Sequence, residues 1–129
     1  MMVNGPIHNI VAVDDDFRVR ESLESLIESA GYAPVVFSSA EEFLQSGTLA
    51  AATCVITDVR MPGMDGIELQ RRIRHVRPEL PVIFISARTS TETRRQALDE
   101  GAVDFLYKPF SAADLLAAIQ AALAIGREK

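Results

Sequence analysis

The chain has 129 residues, 48% of them hydrophobic and 24% charged, the balance of one soluble globular domain long enough to bury a core without staples. Its formal net charge of −5 disfavours direct nucleic-acid binding, which needs Lys and Arg clustered against phosphates. The single cysteine excludes an internal disulfide, no apolar run approaches the ~20 residues of a membrane span, and Met1–Pro6 lacks the basic-then-apolar pattern of a secretory signal. A cytoplasmic protein without membrane contact is expected.

In chain order, Ile10–Val13 is the first strand-like apolar run and leads directly into Asp14-Asp15-Asp16. Asp16 is placed to cap a first helix with Val19, Leu23, Leu26, Ile27 and Ala30 on one face, and Gly31 to end it. Ala33–Phe37, rich in β-branched residues, predicts the second strand. Ser39 with Glu42 forms a capping-box pattern for a short second helix through about Gln45. Cys54–Thr57 is the third strand, ending at Asp58, with Cys54 as a small buried hydrophobe. The turn-rich segment Arg60-Met61-Pro62-Gly63-Met64-Asp65-Gly66 follows, and Asp65 is expected to cap the third helix. Its apolar positions are Ile67, Leu69, Ile73 and Val76, with Arg71, Arg72, Arg74 and Arg77 facing solvent.

Pro78 and Pro81 flank the entry to a fourth strand, Val82–Ile85, which ends at Ser86. Thr91–Glu100 reads as a polar fourth helix closed by Gly101. The fifth strand, Phe105–Tyr107, reaches Lys108-Pro109, and Ser111 with Asp114 caps a last helix with Leu115, Leu116, Ile119 and Leu123 on its apolar face. Five strands alternating with five helices predict a single α/β domain, residues 1–129 with a core of about 8–124, built on a doubly wound parallel sheet. The order 2-1-3-4-5 brings the ends of strands one and three together at the switch point, beyond the carboxyl edge, where such sheets bind ligands.

That edge collects Asp14, Asp15, Asp58, Ser86 and Lys108. Gathered carboxylates repel and need a counter-charge. Oxygen donors suit Mg²⁺, which uses one or two carboxylates and keeps waters. Asp58 is also a candidate nucleophile toward phosphorus, with Lys108 and Ser86 positioned to meet phosphoryl oxygens. Taken singly, an Asp after a strand is usually a cap, a Lys-Pro a turn and a terminal Ser a backbone cap. Their joint occurrence at four strand ends favours a site. His8 and His75 read as surface residues. The phosphate-loop, dinucleotide and zinc-protease motifs are absent from the sequence.

Val13-Asp14-Asp15-Asp16, Ile56 to Gly66, Ile85-Ser86-Ala87 and Gly101 to Phe110 resemble the receiver domains of two-component response regulators, over nearly the whole chain and in order. The resemblance implies a flavodoxin-like fold. It also implies that Asp58 is the phosphoacceptor, that Asp15 holds Mg²⁺ directly and Asp14 through water, and that the Arg60 backbone carbonyl is a further metal ligand. Ser86 and Lys108 would contact the phosphoryl group, Phe105 would turn inward on activation, and the Lys108–Pro109 bond would be cis. The implied partners are a sensor histidine kinase as phosphodonor and a C-terminal DNA-binding domain outside this chain. A homodimer through the face of the fourth helix, fifth strand and fifth helix would form on phosphorylation.

The expected protein is thus a signalling switch that supports its own phosphorylation and dephosphorylation, not an enzyme with a separate substrate. A phosphatase of the haloacid dehalogenase type wants a carboxylate two residues after the nucleophile, where this chain has Arg60. A flavodoxin-like carrier would cradle phosphate in a first loop that here carries Asp14 and Asp15. A receiver fold without the chemistry would lack a site residue, and none is missing. Arg60 and Arg88, two residues beyond Asp58 and Ser86, are expected at the pocket mouth.

Overall fold

The structure, a computed structural model of the chain, describes residues 7–87 and 90–127. Its elements are β1 (Asn9–Val13), α1 (Phe17–Ser29), β2 (Ala33–Phe37), α2 (Ala40–Ser46), β3 (Cys54–Asp58), α3 (Gly66–Val76), β4 (Val82–Ser86), α4 (Thr91–Asp99), β5 (Asp104–Tyr107) and α5 (Ala112–Arg127). The five strands form one parallel sheet in the order β2-β1-β3-β4-β5. Strands β3 and β4 are buried along their whole length, as continuous apolar runs with helices on both faces require.

Alternate residues serve opposite faces, because strand side chains reverse direction at every step. Val11, Val13, Val55 and Phe84 pack with Phe43, Leu69 and Ile73 of α2 and α3. Ile10, Ala12, Ile56, Ile83 and Ile85 pack with Leu23 and Ile27 of α1 and Leu115 and Ile119 of α5. Burying one such side chain contributes about 2 kcal/mol, so these two layers hold the carboxyl edge of the sheet in place. Cys54 lies inside the second layer, and burial pushes its thiol pKa up to about 12. No helix among the described residues is long and apolar enough to cross a membrane.

The helix starts follow the capping residues. Asp16 accepts the Arg18 N–H at 2.9 Å, Asp65 the Glu68 N–H at 2.9 Å, and Ser111 the Asp114 N–H at 2.9 Å. Ser39 accepts the Glu42 N–H at 3.0 Å, but the Glu42 carboxylate turns one residue further back than a capping box, onto the Ser38 N–H at 2.8 Å. Gly31 and Gly101 follow α1 and α4 with φ of +91° and +108°, the left-handed turn that ends a helix most cheaply at glycine.

Several expectations on surface and core need correction. Ala30 is exposed. Val76 is 64% exposed, because α3 ends there and its last turn runs past the core. Arg77 does not face solvent freely: its Nη1 donates to the carbonyls of Leu49 at 2.9 Å and Ala52 at 2.7 Å, while Nε meets Glu79 at 2.8 Å. It thereby fixes a 3-10 turn, Thr48–Ala51, that had no sequence signature. Arg71 forms a two-pronged pair with Glu100, both bonds 2.9 Å, and Arg74 donates to the Glu100 carbonyl. These two arginines remain exposed to water, as expected, and also clamp α3 to the end of α4. Gln70, buried between them, donates to the Ala97 carbonyl at 3.2 Å. His8 is half-buried, edge-on to Tyr32 with ring centres 6.0 Å apart, whereas His75 is exposed as expected.

Candidate functional site

Register explains the convergence. Val13 of β1 lies opposite Thr57 of β3, so the residues that follow them, Asp14 and Asp58, leave the sheet side by side. Asp14, Asp15 and Asp58 each offer a carboxylate oxygen, all within 4.8 Å of one another. Asp14 is 0% exposed and Asp58 is also buried, while Asp15 is open to solvent. Asp14 uses one oxygen to accept the Asp16 N–H at 2.8 Å, which folds the β1–α1 turn around it. Arg20 on α1 secures the same turn, its Nη1 donating to the Asp14 carbonyl at 2.8 Å.

Lys108 arrives from the end of β5. Its backbone N–H donates to the Ser86 carbonyl at 2.7 Å, tying the ends of β4 and β5 together, and the Lys108–Pro109 bond is cis. Its Nζ donates to Asp14 Oδ2 at 2.9 Å and to Asp58 Oδ2 at 3.2 Å. Burial raises the Asp14 carboxyl above its ordinary value, an effect opposed by the Asp16 N–H and Lys108 and reinforced by the neighbouring Asp58 charge. Burial acts on Lys108 in the opposite sense, but its bonds to Asp14 and Asp58 prevail and hold the ammonium above the ordinary lysine range. One ammonium among three carboxylates leaves the cluster anionic.

The donor set fits a hard divalent cation: carboxylate oxygens from two adjacent strand ends, with Asp15 on the open side. Asp14, Asp15 and Asp58 could hold Mg²⁺, and Arg60, whose side chain is exposed, occupies the second position after Asp58. Ser86 ends β4 and is buried, one residue beyond Ile85, which pairs with Asp58. The predicted set Asp14, Asp15, Asp58, Ser86 and Lys108 therefore gathers at one sheet edge. Arg88 lies outside the described residues.

Phe105 lies inward in this structure. It is 4% exposed, stacked on Phe84 at 5.9 Å and against Tyr107 at 5.5 Å. Three supporting residues were not foreseen: Arg20, Glu41 and Gly66. Glu41 in the first turn of α2 accepts the Met64 N–H at 2.8 Å. Gly66 opens α3 so close to β3 that its N–H reaches the Val59 carbonyl at 2.8 Å. Arg20 and Glu41 look in sequence like ordinary helix-surface charges, and only the fold gives them partners.

A doubly wound parallel sheet with a carboxylate cluster, a serine and a lysine at its switch point defines an α/β protein whose acidic edge could hold a divalent cation. The response regulator receiver domain family matches residues 10–120. The response regulator protein TodT of Pseudomonas putida strain F1 is 42% identical over 120 residues, 93% of this chain and 53% of TodT. The transcriptional regulatory protein FixJ of Bradyrhizobium diazoefficiens is 38% identical over 115 residues, 89% of this chain and 56% of FixJ. A solved response regulator receiver domain protein from Clostridium thermocellum aligns with a TM-score of 0.88 at 29% identity, covering 94% of this chain and 98% of its own. The chain belongs to the response regulator receiver domain family, and its class is that of a signalling protein. It spans about half the length of these two curated relatives.

Proposed function

We propose that this domain is a phosphorylation-controlled switch in the cytoplasm, with Asp58 as phosphoacceptor and a sensor histidine kinase as donor. The observation that carries the reading is the pairing of Lys108 with both Asp58 and Asp14 inside a carboxylate cluster. A free oxygen of Asp58 attacks the phosphorus of the kinase phosphohistidine. The P–N bond breaks, its electron pair stays on the histidine nitrogen, which takes up a proton, and Asp58 becomes an acyl phosphate. Asp14, Asp15, Asp58 and the Arg60 carbonyl would hold Mg²⁺, which would supply charge stabilisation to the phosphoryl oxygens. Lys108 trades its bond to Asp58 for one to a phosphoryl oxygen, and the Ser86 hydroxyl donates to another.

Acetyl phosphate with Mg²⁺ is expected to add one phosphoryl group, removed by Asp58→Asn and by omission of the metal. Asp15→Ala is expected to lose measurable Mg²⁺ binding by calorimetry. Uptake that persists without Mg²⁺, or in Asp58→Asn, would sink the assignment.

Phosphorylation is further proposed to alter the face formed by α4, β5 and α5, which a second copy or an output domain reads. Phe105 is already inward, so the phosphoryl group acts by favouring this arrangement over an outward one. A full shift from 1:99 to 99:1 needs roughly 5.5 kcal/mol of differential stabilisation. The outer surface of α4 is polar, so a dimer through it is expected to be modest and phosphorylation-dependent. The names of TodT and FixJ, a response regulator and a transcriptional regulator, support a DNA-binding output domain beyond this segment. Beryllofluoride with Mg²⁺ is expected to shift amide resonances from Ser86 to Phe105 and to raise the sedimenting mass. Binding that leaves those resonances unmoved would refute the switch and spare the acceptor site.

A further inference from the structure

We infer that Glu41 is a positioning residue for the metal and phosphoryl site, fixing from the first turn of α2 the β3–α3 loop that carries the Arg60 carbonyl. This rests on the function proposed above. The loop leaves β3 at Asp58 and must present a backbone carbonyl two residues later, so its path decides the last oxygen of the donor set. Its inner half is held by burial: Val59 and Met61 lie in the core, and the Gly66 N–H closes onto the Val59 carbonyl at 2.8 Å. Among the described residues, its outer arc, residues 62–64, is tied to another element by one hydrogen bond, from the Met64 N–H to Glu41 Oε2 at 2.8 Å.

Glu41 and Gly63 are fitted to each other. Gly63 has φ +75°, and a Cβ there would sit 2.6 Å from Glu41 Oε2, so the missing side chain is the space that the carboxylate occupies. The other end of Glu41 is rigid. Ser39 caps α2, Ala40 and Phe43 are buried beneath it, and Glu42 is bonded back to Ser38. An anion suits this place, because it lies at a helix N-terminus and a charged acceptor strengthens the bond to an amide. Met64 N–H in turn holds the Glu41 carboxyl below its ordinary range. A bracing carboxylate bridging 23 residues of sequence thus connects α2 to the loop that leaves the acidic edge.

Glu41→Asp keeps the charge at the helix start but is one methylene too short to reach Met64, and Glu41→Gln restores an acceptor oxygen at the right length. In Glu41→Asp the Mg²⁺ midpoint, from amide shifts in titrations of the intact chain, is expected to rise about tenfold, the low end for outer partners of metal ligands. The Met64 amide should exchange faster even without metal, and acetyl phosphate uptake should recover its full rate at saturating Mg²⁺. Glu41→Gln is expected to return the midpoint most of the way. A merely structural role would lower the melting temperature and leave the Mg²⁺ midpoint of the folded protein unmoved, and that result in Glu41→Asp would overturn the inference. Wild-type chain that neither binds Mg²⁺ nor takes up a phosphoryl group would overturn the underlying function as well, so the two failures are distinguishable.

Discussion

Gly66→Ala is expected to damage both folding and phosphorylation, out of proportion to the methyl group it adds. Gly66 begins α3 where the helix passes directly under the carbonyl of Asp58. A Cβ there would overlap that carbonyl oxygen and lie 3.0 Å from Cε1 of Phe84. The obstacle is backbone, so no rotamer change relieves it. Either β3 bends and carries the Asp58 carboxylate with it, or α3 backs away and the Gly66–Val59 bond is lost. Overpacking of this kind costs about 3 kcal/mol, which for a domain of this size is a fall of about 10 °C in melting temperature. Gly47 is the control: φ is +82° but nothing lies within 4 Å of its Cβ position, so Gly47→Ala costs about 1 kcal/mol of backbone strain. Thermal melts in which the two variants behave alike would show that the approach of α3 to Asp58 is not tight.

Lys108→Ala should have a comparable effect with a distinctive pH dependence. It leaves Asp14, which is 0% exposed, without its ammonium partner. Breaking a buried pair costs 3–5 kcal/mol in dry interiors, and this one borders water, so about 2 kcal/mol is expected at neutral pH. Asp14 already sits above its ordinary 3.8 because of burial, and losing Lys108 pushes it further. A carboxyl raised on folding binds protons more tightly in the folded state, so stability falls as pH rises from 3.8 through its folded pKa. The variant should therefore approach wild-type stability in acid and fall furthest behind at neutral pH. Wild type has a second leg: Lys108 is raised above 10.5, so its stabilisation is complete below that value and declines as pH climbs through the folded pKa. Lys108→Ala should lack that alkaline decline. Mg²⁺ at ten times its dissociation constant should return about 1.4 kcal/mol by mass action. A constant difference between the two proteins from pH 4 to pH 9 would contradict this electrostatic account.

Much of this molecule was legible in one dimension because it is written in local signals. Apolar runs such as Cys54–Thr57 and Val82–Ile85 mark buried parallel strands, and Asp16, Ser39, Asp65 and Ser111 mark helix starts by their own hydrogen-bonding habit. The strand-end residues Asp14, Asp58, Ser86 and Lys108 were legible for the same reason: the sheet puts every strand end on one edge. What stayed hidden depends on partners distant in sequence. Arg71 and Arg74 are exposed as they read, but their bonds to Glu100 depend on α4, and Arg77 reads as solvated until Leu49 and Ala52 present carbonyls. Val76 fits the helical period of an apolar face, but α3 outlasts the core beneath it. Phe105 illustrates another limit, since sequence names an aromatic at this position but not which way the ring points.

The most direct test of the central claim is the position of the phosphoryl group. The chain is incubated with acetyl phosphate and Mg²⁺, the acyl phosphate is trapped by borohydride reduction, and the modified peptide is sequenced by mass spectrometry. The account predicts a single reduced residue at Asp58 and none in Asp58→Asn. A reduced residue at Asp14 or Asp15, with Asp58 intact, would contradict it.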